Sequence, residues 1–291
     1  MGKDWSYPEA FSRHRGLLSE EDQERLRKSR VALVGMGGVG GAHLLTLARL
    51  GIGSFHIADP DRFEVANFNR QPGATMRNLG RNKAEAMADE AKQINPELDL
   101  RVLPAAVNAD NLDQLLEGVS VVVDGIDFFA IDTRRLVFQE ARRRGIWAVT
   151  AGPIGFSAAW LTFSPHGMSF DDYFDMGHGR DAMDRVVAFL VGLTPKATHR
   201  TYMDLSKVDA RSGRGPSAGL ACQLCSGVAA AEVLKILLGR GPVNPAPWAF
   251  QFDAYRQQLR KVYQWGGNGH FWQRFKRQKV RAALERMGWK L

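Results

Sequence analysis

Cysteine is scarce in this chain: Cys222 and Cys225 are the only two in 291 residues. That count excludes a disulfide-stapled framework and suits a reducing compartment. No apolar stretch reaches the roughly 18 residues that a bilayer crossing needs. The longest are short runs such as 186–193, so a soluble protein with no membrane partner is expected. Residues 1–16 carry Lys3, Asp4, Glu9 and Arg13 and lack the apolar region of a secretory signal, from which a cytoplasmic location is expected. The seven histidines show no metal-binding spacing, and one Cys-x-x-Cys pair cannot complete a tetrahedral zinc site, so zinc is not expected.

What is present is ordinary globular usage, 45% apolar and 24% charged, which excludes a disordered or collagen-like chain. The length suits two domains or one large α/β domain with an insertion. The net charge of +8 is concentrated at the end. Residues 272–291 hold seven lysines and arginines against Glu285 alone. Such a tail can dock an RNA backbone or an acidic protein. Base rates favour a solvated helix with Phe275, Leu284 and Met287 packed down.

Residues 19–30 open with a Ser-x-x-Asp capping pattern and read as a short polar helix. The apolar run 31–34 then reads as a buried strand, ending in the glycine loop 35–41 and a helix stopped at Gly51. A second strand, 54–58, closes on Asp59. This strand, loop, helix, strand unit is the opening of a nucleotide-binding sheet. Helices are expected at 83–94, 112–116 and 133–144, and strands at 99–107, 119–124 and 147–151. The alternation predicts an α/β, Rossmann-like, mostly parallel sheet with helices on both faces. Residues 166–216 lose periodicity around the apolar segment 186–193 and read as a crossover insertion, in which 169–174 is a capped short helix. Beyond it come a long buried helix over 218–238 and two C-terminal strands, 248–252 and 258–263, antiparallel to each other. The organisation expected is an arm and helix at 1–28, a nucleotide-binding half at 29–165, the crossover at 166–216, a completing helix and strands at 217–265 and a basic tail at 266–291.

A glycine-rich loop alone marks many unrelated nucleotide-binding proteins. Its glycines let the backbone approach a phosphate, and the helix after it offers unpaired N–H groups to an anion. The segments after strand two sharpen the reading: Asp59-Pro60-Asp61, then Asn67-Phe68-Asn69-Arg70-Gln71, then Lys83. In a nicotinamide-binding sheet Asp59 would hold the ribose, but Arg70 and Lys83 would have no task. If the ligand is ATP, its triphosphate needs cations, and these residues supply them. Asp127, just past the strand ending at Asp124, stands where Mg²⁺ bridging phosphates could sit.

In this series the chain resembles the ubiquitin-activating-enzyme-like adenylyltransferases, the ThiF/MoeB/HesA group, from about Phe11 to about Tyr263. The motifs that carry the resemblance are Gly35-x-Gly37-Gly38-x-Gly40, Asp59-x-Asp61, Asn67-x-Asn69-Arg70-Gln71, Lys83 and Asp127. It implies that Asp59 holds the ATP ribose, that Asn67, Arg70 and Lys83 line the phosphates with Gln71 in support, and that Asp127 ligates Mg²⁺. It also implies a homodimer in which Arg13 reaches the ATP of the other subunit. The chemistry implied is attack of a carboxylate on the α-phosphorus of ATP, giving an acyl-adenylate and pyrophosphate, with no protein nucleophile. The carboxylate could be the C-terminus of a small ubiquitin-like carrier, a peptide C-terminus or a tRNA-borne carboxyl. Members that handle sulfur carriers commonly hold zinc with two Cys-x-x-Cys pairs, and neither motif is here. Cys222 and Cys225 are read as packing residues at a helix start, the alternative being a thiolate with a lowered pKa. Two other functional classes stand beside this one: an NAD(P)-dependent oxidoreductase, which leaves Asn67, Arg70, Lys83 and Asp127 unexplained, and a non-catalytic nucleotide-binding module.

Overall fold

A computed structural model describes residues 5–177, 180–204 and 215–289. The expected turns at 178–179 and 212–213, and the rest of the crossover over 205–211 and at 214, lie outside the described residues. In chain order the elements are α1 (Tyr7–Ala10), α2 (Glu20–Lys28), β1 (Arg30–Val34), α3 (Gly38–Arg49), β2 (Ser54–Ala58), α4 (Lys83–Ile94), β3 (Asp99–Leu103), α5 (Leu112–Leu116) and β4 (Val121–Asp124). They continue with α6 (Ile131–Arg143), β5 (Trp147–Ile154), β6 (Ser157–Phe163), α7 (Phe170–Phe174), α8 (Ala182–Leu193), α9 (Gly219–Leu238), β7 (Trp248–Asp253), β8 (Gln258–Tyr263) and α10 (Phe271–Arg286).

The eight strands form one sheet in the order β3-β2-β1-β4-β5-β6-β7-β8. The first five are parallel, and β6, β7 and β8 are antiparallel to their neighbours. Side chains alternate across the central strands, as a pleated strand covered on both faces requires. Val31, Leu33, Val121 and Val123 join the core under α2, α3, α4 and α9. Ala32, Val34 and Val122 join the opposite core under α5, α6, α7 and α8. The start of α2 carries the expected capping box, with the Ser19 hydroxyl accepting from Asp22 N–H and the Asp22 carboxylate accepting from Ser19 N–H. Ser169 caps α7 by accepting from Asp172 N–H.

Several expectations need correction. β6 was not expected, because 157–163 is buried along its whole length and shows no polar alternation. The two-residue turn at Gly155 and Phe156, with Gly155 at φ +60, joins it to β5. The strand expected over 99–107 stops at Leu103, and the nominally irregular crossover contains α8, a twelve-residue helix capped by Asp181. The expectation about apolar runs also fails in one place. Among the described residues α9 is long and apolar enough to cross a bilayer, since Gln223, Glu232 and Lys235 interrupt its run without making it polar. Its inner face packs on α3, β5 and β6, the arrangement of a core helix.

The basic tail is not a loose extension. α10 lies over α8, where Val280, Leu284 and Trp289 pack against Met183, Val187 and Val191. Leu284 and Met287 are half-buried as expected, but Phe275 points outward, 47% exposed. The reason is that α10 covers a helix and not the sheet, so only one narrow face is buried. Arg277 pairs with Asp175 at 2.8 Å, and Arg281 with Asp181 at 2.8 Å and Asp184 at 2.5 Å. Crossover acids thus neutralise part of the tail's charge.

Candidate nucleotide site

The strand order reverses between β1 and β4, which opens a crevice at the carboxyl ends of these strands, where open α/β sheets bind ligands. The glycine loop fills its floor. Gly35, at φ +87, leaves so little room that a Cβ there would stand 2.1 Å from Gly125 O. A Cβ on Gly40 would stand 1.7 Å from Gly35 O. The loop after β1 and the loop after β4 therefore touch backbone to backbone. Gly125, absent from the expected site residues, is as constrained as they are: its own Cβ would lie 2.6 Å from Gly35 O. The signal for it was its place directly after Asp124 at the end of a parallel strand.

Around this floor the expected residues take distinct positions. Asp59, 5% exposed, accepts Met36 N–H at 2.6 Å and Asp61 N–H at 2.8 Å, so the end of β2 holds the glycine loop in place. Burial raises its carboxyl pKa above the ordinary value, against the pull of those two N–H donors. Lys83 is buried, and its ammonium donates to Asp61 at 3.0 Å. Asn82 caps α4 by accepting Glu85 N–H and donates from its amide to Asp59 O, which ties the start of that helix to β2. Asn67 is buried, its amide oxygen accepting Glu64 N–H at the start of a 3₁₀ turn over Val65–Asn67. Arg70 directs its guanidinium to Ala66 O and to the Asn69 side chain, both at 2.9 Å. Gln71 is buried directly against Gly37, 3.5 Å from the place of a Cβ there, and its amide oxygen has no partner among the described residues.

Gly38 lies against α9. A Cβ on it would meet Cys222 Sγ at 2.9 Å and Arg70 Cγ at 3.6 Å. Cys222 and Cys225 are both buried, and burial pushes both thiols up from their usual range. That is packing chemistry, as expected, and it opposes the thiolate alternative.

Asp127 is exposed, and one oxygen of its carboxylate accepts Phe129 N–H at 2.9 Å. Its loop is held by a residue that sequence reasoning missed, Arg134 on α6. The Arg134 guanidinium donates to Asp124 Oδ2 at 2.7 Å, to Ile126 O at 2.6 Å and to Asp127 O at 3.1 Å, and it lies over the Phe189 ring. Thr150 donates to the same Asp124 oxygen at 2.7 Å. Of the several arginines on α6, this one is turned inward to hold the loop.

Arg13 is exposed in a 3₁₀ turn over Ser12–His14. Its segment folds back on its own chain. The Tyr7 hydroxyl donates to Gly51 O at 2.5 Å, and His14 Nδ1 lies 2.9 Å from the Gln23 amide oxygen. The helix after it, α2, has nine residues where about a dozen were expected. No group of three histidine, cysteine, aspartate or glutamate side chains among the described residues could hold a metal. Cavities of about 680 Å³ and about 590 Å³ lie elsewhere, and no glycine-loop residue lines either.

Known proteins resemble this chain in sequence and in fold. tRNA threonylcarbamoyladenosine dehydratase of Escherichia coli (strain K12) is 37% identical over 140 residues, 48% of this chain and 52% of that protein. SAMP-activating enzyme E1 of Haloferax volcanii is 33% identical over 159 residues, 54% of this chain and 58% of that one. The matched segment thus spans about half the length of these curated relatives. The crystal structure of the E. coli tRNA N6-threonylcarbamoyladenosine dehydratase, TcdA, shares the fold, with a TM-score of 0.58 at 24% identity over 80% of this chain and 95% of that one. Residues 11–266 match the model of the ThiF family, and the chain therefore belongs to that family.

Proposed function

We propose that this chain is an ATP-dependent adenylyltransferase that activates a carboxylate as its acyl-adenylate. The observation that carries the reading is the convergence of a side-chain-free backbone floor, Gly35, Gly40 and Gly125, with Asp59, Lys83 and Asp127 on the loops that surround it. Relatives named as a dehydratase of modified tRNA, a SAMP-activating enzyme and a ThiS adenylyltransferase support it.

In this reading the glycine-loop N–H groups donate to the phosphate oxygens without steric cost, and Asp59 accepts from the ribose hydroxyls on oxygens already fixed by Met36 and Asp61. Lys83 exchanges Asp61 for a phosphate oxygen, and Arg70 exchanges the Asn69 side chain and Ala66 O for another. A carboxylate oxygen of the substrate bonds to the α-phosphorus while the bond from that phosphorus to the bridging oxygen breaks. Pyrophosphate leaves with its electron pair, and no proton moves. The work of the site is therefore alignment and charge neutralisation. Asp127 fits a Mg²⁺ ion: it is exposed, its second oxygen is available, and a single carboxylate suits an ion whose other ligands are phosphates and water. When bound, Mg²⁺ would neutralise the departing pyrophosphate.

A homodimer with Arg13 acting in trans belongs to the same proposal. Arg13 is exposed, while Phe68 and Leu220, also exposed, flank the place where the Asn69 amide donates to Ser217 O beside Arg70. A second copy over that face would bury apolar surface next to the phosphate residues. The carboxylate is sought among a ubiquitin-like carrier, a peptide C-terminus and a tRNA-borne carboxyl by ATP–pyrophosphate exchange, with the adenylate identified by mass. Exchange with one of these, lost in Lys83→Ala and retained in the double change Cys222→Ala and Cys225→Ala, is the expected result. Tight binding of a nicotinamide dinucleotide in place of ATP with Mg²⁺ would sink the proposal. Mixing Arg13→Ala and Asp127→Ala chains should restore one working site per mixed dimer.

A further inference from the structure

The groove of about 590 Å³ at the far end of the sheet is unlike the rest of the surface. It runs between the end of β8 and α10, and its walls carry Trp265, Trp272 and Phe275, which are 74%, 59% and 47% exposed. Lys196, Lys276 and Lys279 line it too, and none of the described residues that line it is acidic. This contrasts with the opposite face of α10, where Arg277 and Arg281 are neutralised by Asp175, Asp181 and Asp184. Lys276 donates to Pro195 O at 3.1 Å, and burial together with the neighbouring Lys196 charge lowers its pKa, as expected for two ammonium groups with no acid among the described residues of the groove. Lys279 stands 4.4 Å from the Phe275 ring centre. Under the groove two buried glutamines each keep one amide atom unpartnered among the described residues, Gln264 Nε2, a donor, and Gln273 Oε1, an acceptor.

Flat exposed rings between unneutralised ammonium groups are the physical requirements for stacking bases while holding the phosphates that link them. The geometry points to this groove as a docking site for an unpaired segment of RNA. RNA is favoured over DNA because its loops present unstacked bases, whereas duplex DNA hides the faces of its bases. A membrane surface suits the groove less well, since its aromatics line a concavity and its floor carries amides, whereas an interfacial helix offers a convex apolar face.

The site is independent of the nucleotide crevice. Tyr263, the last residue of β8, pairs with Trp248, the first of β7, and Phe163, the last of β6, pairs with Ala148 near the start of β5. The groove therefore sits at the amino ends of the parallel strands, whereas the glycine loop lies past the carboxyl end of β1.

The test uses the full chain without ATP and follows the anisotropy of a fluorescein-labelled oligouridylate over a range of salt concentrations. Saturable binding is expected, weakened about fivefold or more by Trp272→Ala and, on a separate loop, by Trp265→Ala. Lys279→Gln should lower the slope of log affinity against log salt by about 0.7. Both tryptophans are exposed, so an unchanged melting temperature checks that the variants are folded. Adding ATP with Mg²⁺ should leave the binding unchanged, so a failed adenylation assay and a failed RNA assay remain distinguishable. No binding at low salt, or binding indifferent to both tryptophan changes, would overturn the proposal. Tighter binding of oligothymidylate, or partition onto anionic lipid vesicles without RNA binding, would overturn it in favour of DNA or of a membrane surface.

Discussion

The two ends of the sheet solve opposite problems. At the carboxyl ends of β1 and β4 the chain removes side chains until backbone meets backbone, with Gly35, Gly40 and Gly125 in mutual contact and a buried arginine, Arg134, behind them. At the amino end, beyond β8, it leaves large rings in solvent and lysines with no acid among the described residues that line the groove. The glycine positions of the first end leave no room for a Cβ, so they tolerate little change. The second is held from behind by α8 and α10, so its outer side chains are free to vary without cost to the fold.

The contrast is broken or sharpened most strongly by comparing two buried arginines. Arg134→Met leaves Asp124 charged, buried and short of its partner, and a loss of about 3–5 kcal/mol in urea unfolding is expected. Arg277→Met, whose partner Asp175 is less deeply buried, should cost about 1.5–3 kcal/mol. Equal losses would erase the distinction between the two ends.

Glycines give the next largest effect. Gly40→Ala sets a Cβ 1.7 Å from a backbone oxygen and should cost about 1–3 kcal/mol through the strain of moving the loop, with pyrophosphate exchange lost as well. Gly227→Ala in α9 meets nothing within 4 Å and should stabilise the chain by up to about 1 kcal/mol. Thermal melts of both decide whether the tightness belongs to the nucleotide loop alone.

Each half also buries one histidine whose pKa burial lowers to about 4, His43 on α3 and His199 in the crossover. Their folded pKa values lie below the ordinary value of 6.5, so the unfolded chain binds protons that the folded chain refuses. Stability is retained above pH 6.5 and falls as the pH drops towards 4, by up to about 1.4 kcal/mol per pH unit for each histidine. Unfolding measured at pH 7 and pH 5 should show the slope, and His199→Gln should reduce it by one proton. A slope unchanged in that variant would mean that His199 is already protonated in the fold.

The smallest change in stability belongs to Asp127→Asn. Its exposed side chain predicts less than about 0.5 kcal/mol. Calorimetry should nevertheless show the Mg²⁺-dependent part of ATP binding lost. Unchanged metal dependence would remove Asp127 from the site.

Much of the nucleotide half was legible in the chain itself. β2, α4 and α5 fall on the expected residues, and the glycine loop stands where local rules put it, as do β8 and the Ser19 capping box outside that half. These features rest on neighbours in sequence: a period of two or 3.6, a cap three residues away, a glycine where the backbone turns. The site residues from Asp59 to Asp127 could be named because they come after strand ends in order. Their partners could not. Arg134 lies ten residues from the aspartate it holds, on a helix with several other arginines and no local mark of which one turns inward.

Sequence alone therefore determined the Rossmann-like alternation, the anion-accepting loop and the family's motif series, since each is written in short-range pattern. Only the tertiary structure decided that β6 completes the sheet, that Gly125 closes against Gly35, and that α10 turns Arg277 and Arg281 toward crossover acids and its lysines and aromatics outward. The physical reason is that burial and charge neutralisation depend on which surfaces meet. Composition states how many charges a helix carries, and packing decides which of them are left without a partner.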